Sequence, residues 1–352
     1  MGIPILWRYL LLRYVWVLVF CTIGFIVLLL TMRLGDIAHF ATLGAGRETV
    51  ALFIAYQIPY ILPIALPISC LISAILLTQK LSADHELAAL RAQGASLTQI
   101  FTPIWTAALF AALLNFYVVS EVATRTHLQT GLLKAKALSV NPLLLLHNKH
   151  LMRVKGGYFT PLGDSQVGKK ASEALIAFPD KSMGRMRLFL AKSLENKKGE
   201  FKIKDLSLVT GVNDDGLLVE NTHLTRTAAN GFSELLEVKV WNPASDQLPM
   251  QALVAKPNYP FSEIMRRISI ALAALSFTFL GTAFGIQVGR EASKIKIFWV
   301  ICLAALFLVS YFIAKGLEEK TEAATLLYLT PHIILVGASL WMLQRVSRGK
   351  TA

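Results

Sequence analysis

Six apolar runs, each near the length of a bilayer crossing, punctuate the chain at residues 15–32, 50–78, 97–119, 268–288, 297–314 and 325–343. They fall three and three about a polar stretch of a different rhythm. There, short alternating segments at residues 151–160, 174–178, 186–190, 201–212, 217–226 and 232–241 are bounded by Gly, Pro, Asn and Asp. That spacing predicts an all-β sandwich or barrel, long enough to bury a core of its own. The expected architecture is an α-helical membrane protein with six transmembrane helices and one inserted all-β domain. Its predicted domains are 1–121, 122–258 and 259–352.

The first run follows Arg8 and Arg13. It is too long for a signal-peptide core and lacks a small-residue cleavage site, so an uncleaved first span is expected. The second run is longer than a straight crossing needs and carries Pro59, Pro63 and Pro67, four residues apart. Each proline removes a backbone donor and crowds the carbonyl four residues earlier. Within lipid those carbonyls need partners or a wet cavity. A kinked, cavity-lining helix and a kink that serves packing both fit.

Residues 81–100 join runs two and three with more than a tight turn. Ser82 is a candidate N-cap, with Asp84 and Glu86 in the first turn. Leu87 and Leu90 form an apolar edge, Arg91 falls near the end, and Gly94 is a natural stop. Ser96 with Gln99 reads as a capping box opening the next helix. This predicts a surface helix of about three turns over residues 82–94. It either engages a partner or merely connects.

Composition narrows the class. Of 352 residues, 55% are hydrophobic, and mean hydropathy is +0.55. With both termini inside, short inner segments hold ten Lys and Arg: Arg8, Arg13, Lys80, Arg91, Arg290, Lys294, Lys296, Arg345, Arg348 and Lys350. The short outer segments hold four: Arg33, Arg47, Lys315 and Lys320. This bias predicts cytoplasmic termini, a cytoplasmic 81–100 connector and an external β domain. Cys21, Cys70 and Cys302 all lie in apolar runs, so no disulfide or thiolate zinc site is expected.

Catalytic motifs are weak. Residues 163–169 fit a phosphate-loop start, but Lys170 stands where magnesium binding needs Ser or Thr. His147 and His150 lack an acid or cysteine beside them. No carboxylate falls within the six run cores, which argues against a proton-coupled carrier. A permease driven by a separate ATPase fits this pattern.

The run Asp84-His-Glu86-Leu-Ala-Ala-Leu-Arg91-Ala-Gln-Gly94-Ala-Ser96 resembles the cytoplasmic helix of the LptF/LptG (YjgP/YjgQ) lipopolysaccharide-export permeases. The resemblance covers most of the chain: Trp7-Arg8-Tyr9-Leu10, the proline-bearing second run, three plus three spans, and Ser262-Glu263-Ile264 with Arg267-Ile268 at the start of span four. It departs at Gly289-Arg290-Glu291, where the family often has a Gly- and Arg-rich turn. The resemblance implies a periplasmic jellyroll-like domain and a multi-pass location in the inner membrane. Implied partners are a paralogous permease, an LptB-type ATPase dimer, LptC/LptA-type periplasmic jellyroll proteins and lipopolysaccharide, with no nucleic acid. ATP and magnesium would be bound by the ATPase, with no metal or cofactor in this chain and no enzyme activity of its own. It further implies ATPase coupling through Asp84, Glu86, Leu87, Leu90, Arg91 and Gly94. Lipid A phosphates would meet Arg33, Arg266, Arg267 or Lys315. The region 122–258 carries 19 Lys and Arg against 12 Asp and Glu, which suits an anionic glycolipid. The alternatives are a membrane-anchored receptor or assembly factor, or an ABC permease for another lipid.

Overall fold

The computed structural model describes residues 5–42, 46–140, 152–154, 157–162, 165–166, 170–179, 186–197, 200–212, 216–222, 226–227, 245–255, 261–287, 294–317 and 321–348. The expected strand at 232–241, His147, His150, most of the 163–169 loop and the Gly289-Arg290-Glu291 turn lie outside them. The chain divides into two compact units. One comprises Met1–Leu34, Ile54–Gln129 and Pro243–Ala352, and the other Gly35–Phe53 and Thr130–Asn242.

Among the described residues, six helices are long and apolar enough to cross a membrane, most of their length in the first unit. They are built from α1 (Ile5–Met32), α3 (Arg47–Ala83), α5 (Leu97–Tyr117), α8 (Phe261–Gly285), α9 (Lys294–Gly316) and α10 (Thr321–Ser347). Short helices α2 (Leu34–Thr42), α4 (Glu86–Ala92) and α7 (Met250–Val254) accompany them. The helix of span three continues past α5. A π-helical turn, Val118–Val122, leads directly into α6 (Ala123–Val140).

The most enclosed span is α8, and its polar residues reach four other spans. Thr278 accepts from Tyr14 of α1 (3.1 Å), since its own hydroxyl donates to the Ala274 carbonyl (2.8 Å). Trp105 of α5 donates to Thr282 at 3.2 Å. His332 of α10 lies between Ser269 (Nε2, 3.0 Å) and Ser276 (Nδ1, 2.9 Å). Ser269 spends its proton on the Tyr328 carbonyl, so the imidazole Nε2–H donates to Ser269 and Nδ1 accepts from Ser276. Such bonds hold helices together where apolar contact distinguishes poorly between protein and lipid.

The contact of α8 with α3 is backbone-close. A Cβ on Gly281 would stand 2.6 Å from the Leu71 carbonyl oxygen and 2.7 Å from Ala74 Cβ, and one on Gly285 would overlap Thr78 Oγ1. The small residues four apart permit this approach. Gly281→Leu is therefore expected to force α8 off α3, losing at least about 1–3 kcal/mol. The yield of folded protein in mild detergent should fall sharply, whereas an equal yield would show that the helices are not so close.

The prolines of α3 find an internal answer. Pro67 has no N–H for the Pro63 carbonyl, and Asn115 Nδ2 of α5 supplies the missing donor at 3.2 Å. The same amide nitrogen reaches the Ile270 carbonyl of α8, also at 3.2 Å. Pro63 and Pro67 border an apolar void of only about 60 Å³. The freed carbonyl is thus answered within a three-helix contact, and the void beside it is too small for a lipid.

In the second unit, α2 and the start of α3 meet through a Phe40–Phe53 ring stack, with Lys134 of α6 over the Phe53 ring. The described strands are β1 (Met152–Val154), β2 (Gly157–Pro161), β3 (Ser165–Gln166), β4 (Lys170–Pro179), β5 (Met186–Lys197), β6 (Glu200–Val212), β7 (Gly216–Thr222) and β8 (Arg226–Thr227). They form one antiparallel sheet in the order β1-β2-β4-β5-β6-β7, with β3 on β4 and β8 on β6. The expected 151–160 strand is a hairpin, Met152 facing Phe159. The ladder skips one row. Ser172↔Ser193 and Ala174↔Ala191 pair while Glu173 and Lys192 do not, and Asp205 is passed over likewise. Glu173 (φ 54°) and Asp205 (φ 51°) are left-handed there, a conformation disfavoured for residues with a Cβ. They share one unpaired row with Lys192 across β4, β5 and β6.

Candidate functional site

The connector differs from its expected form. α3 runs on through Ser82 to Ala83, because the Ser82 hydroxyl donates to the Thr78 carbonyl (2.8 Å) and accepts from Gln287 N (3.2 Å). Ser82 is therefore part of the span, and the expectation of an N-cap there is corrected. Asp84 and His85 make the turn, with His85 left-handed (φ 57°), and α4 has seven residues instead of three turns. Gly94 stops it at φ 89°, a value that suits glycine. Ser96 and Gln99 form the reciprocal capping box that opens α5.

The helix α4 is seated on three spans. Glu86 accepts from Tyr9 Oη (3.1 and 3.2 Å) and from Arg13 Nη1 (3.2 Å), both on α1. Arg13 also touches the Tyr9 hydroxyl and stands 3.9 Å from Asp84. Tyr9 and Arg13 are four residues apart and share one helix face. Arg91 Nη2 donates to the Ser347 carbonyl (3.3 Å) at the C-terminal end of α10, where a cation meets the negative end of the helix dipole. Leu87 is 5% exposed and lies in the core with Leu10, Leu97, Ile100 and Val346. Leu90 packs at that core's margin. Leu87 was expected to offer partner contact and instead fixes α4 to its own bundle. Glu86, Asp84 and Arg91 retain exposed surface.

The four basic residues expected at lipid phosphates divide into two kinds. Arg33, after α1, is half-buried with its guanidinium over the Tyr60 ring, which stacks on His127. Lys315, in the last turn of α9, is exposed. Arg266 and Arg267 both bind Glu263, the carboxylate that the run boundaries had placed outside span four. Arg266 forms a two-point pair with it at 2.6 Å each and donates to Tyr311 Oη at 3.0 Å. Arg267 is 0% exposed. It donates to Glu263 (2.9 Å) and to the carbonyls of Ser120 (3.4 Å), Ser245 (3.3 Å) and Leu248 (2.8 Å). Its donors are committed inside the chain, so it braces the π-helical turn of span three and residues 245–248 against α8. It is not offered to a lipid headgroup.

Six membrane-length helices among the described residues, tied through α8, with a surface helix held at one end of the bundle, define a multi-pass membrane protein. The model of the lipopolysaccharide export system permease LptF/LptG family matches residues 8–345. The chain belongs to this family, and with it to the lipopolysaccharide-export permeases of the inner membrane. No curated protein matches the chain.

Proposed function

We propose that this chain is one permease subunit of an ABC-type complex. The complex would extract lipopolysaccharide from the inner membrane and pass it to a periplasmic jellyroll bridge. A separate cytoplasmic ATPase drives it, a paralogous LptF/LptG permease completes the membrane part, and LptC/LptA-type proteins continue the bridge. Both termini and α4 face the cytoplasm, as the ten-to-four Lys and Arg bias supports. The β unit is periplasmic and jellyroll-like, a reading that its single antiparallel sheet supports.

The observation that carries this reading is the seat of α4. A helix bound to α1 through Glu86, to α10 through Arg91 and to the core through Leu87 moves those spans when it is moved. Asp84, Glu86, Leu90 and Arg91 meet the ATPase, while Leu87 and Gly94 fix and end the helix. ATP-driven closure then squeezes the space between the two permeases. Arg33 and Lys315 supply cations for lipid A phosphates at the opposite end of their spans. Arg266 and Arg267 support that end from within.

Photocrosslinkers in the β strands test the lipid path. With a crosslinker at Leu190, which is exposed on β5, lipopolysaccharide adducts should form in the assembled complex and rise when ATP is added. Protein adducts alone would favour a receptor or assembly factor.

A further inference from the structure

A groove of about 880 Å³ opens between α1 and α3 at the end of the bundle that carries α4. Its walls are apolar: Leu12, Trp16 and Val17 from α1, and Leu76 from α3. Leu12, Trp16 and Leu76 are exposed into it with no protein element covering them among the described residues. Its mouth is polar. Gln79, Lys80 and Gln287 line it, and their side chains have no partner among the described residues. Arg13 also borders it but is engaged by Glu86 and Asp84. The groove therefore presents one uncommitted cation and two amide donors above a hydrocarbon-lined slot.

We propose that this groove is a binding site for an anionic phospholipid of the leaflet on the α4 side, the cytoplasmic leaflet in the orientation given above. The phosphodiester receives Lys80 and the amides of Gln79 and Gln287, and an acyl chain lies along Leu12, Trp16 and Leu76. Charge complementarity selects this occupant. A zwitterionic lipid brings its own cation to Lys80, whereas an acidic headgroup leaves that charge matched. Trp16 and Tyr9 border the groove, and such rings favour the boundary between headgroups and hydrocarbon. A lipid here fills the gap beside Arg13 and so reaches the seat of Glu86.

Native mass spectrometry of the full chain in mild detergent, with equal phosphatidylglycerol and phosphatidylcholine added, tests the site. The wild type should carry phosphatidylglycerol over phosphatidylcholine by roughly fivefold, the weight of one basic residue at an anionic surface. Lys80→Gln should bring that ratio close to one, and Leu76→Trp should reduce both adducts by filling the slot. Lys80 is exposed, so its loss does not threaten the fold. An unchanged ratio in Lys80→Gln would overturn the proposal. So would displacement of the lipid by equimolar glycerophosphoglycerol, which would mark a free phosphodiester site instead.

Discussion

Glu86→Arg is expected to abolish ATP-driven lipopolysaccharide export while the protein still inserts. Truncating one partner of a desolvated charge pair at an interface costs about 2–5 kcal/mol, or roughly thirtyfold or more in affinity, and charge reversal costs more. The variant also brings a second cation against Arg13, 3.2 Å from the carboxylate it replaces. Its effect therefore mixes two losses, the partner contact and the seat on α1. The exchange Glu86→Arg with Arg13→Glu separates them. It rebuilds an ion pair between α4 and α1 with the polarity reversed, and this offsets the repulsion that a carboxylate at position 13 meets from Asp84, 3.9 Å from Arg13 in the wild type. If Glu86 meets a cationic group on the ATPase, the exchanged protein keeps its thermal stability and still fails to co-purify with the ATPase. Recovered co-purification would assign Glu86 to the seat alone. The pair itself is partly solvent-exposed, so its loss should change folding stability by at most about 1 kcal/mol.

Arg267→Leu is the variant expected to damage the protein most. It leaves Glu263 with one guanidinium in place of two, and strips donors from three carbonyls. Glu263 keeps Arg266, so the cost lies in the lost charge-assisted bond and in the buried carbonyls that lose a donor, about 1–3 kcal/mol for each group left short. The folded yield in detergent and the melting temperature should both collapse. Arg267→Lys should rescue little. A lysine keeps the charge, but its compact ammonium cannot reproduce the planar fork that spans Glu263, Ser120, Ser245 and Leu248. A lysine variant as stable as the wild type would show that only charge matters here.

Much of the membrane architecture is legible in the pattern, because a span must be continuously apolar and nearly all of its backbone bonds lie within one segment. The capping box at Ser96 and Gln99 and the stop at Gly94 are legible for a related reason, since both satisfy backbone groups within a few residues. Ser82 has the same local chemistry and misled. Its hydroxyl serves Thr78 and Gln287, and the second of these is 205 residues away. Glu86 reads locally as a first-turn acid, and nothing near it announces Tyr9 and Arg13. The signal that could have found them is their spacing of four on a helix that ends at the same side. Asn115 was findable too. Pro67 leaves one carbonyl without a donor, and an asparagine inside an apolar run is a ready source of one. His332 is a single polar letter in apolar surroundings that a hydropathy window averages away, and Glu263 lies just before the apolar run, although the partners of both set how α8 packs.

The measurement that bears most directly on the central claim is lipopolysaccharide transfer in proteoliposomes. The chain is reconstituted with the proposed paralogous permease and ATPase, and a soluble jellyroll acceptor carrying a crosslinker is added outside. The wild type should load the acceptor only with ATP, and the Glu86→Arg, Arg13→Glu protein should hydrolyse ATP without loading it or fail to bind the ATPase. Equal loading by both proteins would contradict a drive through Glu86 of α4, and no ATP-dependent loading by the wild type would contradict the export complex itself.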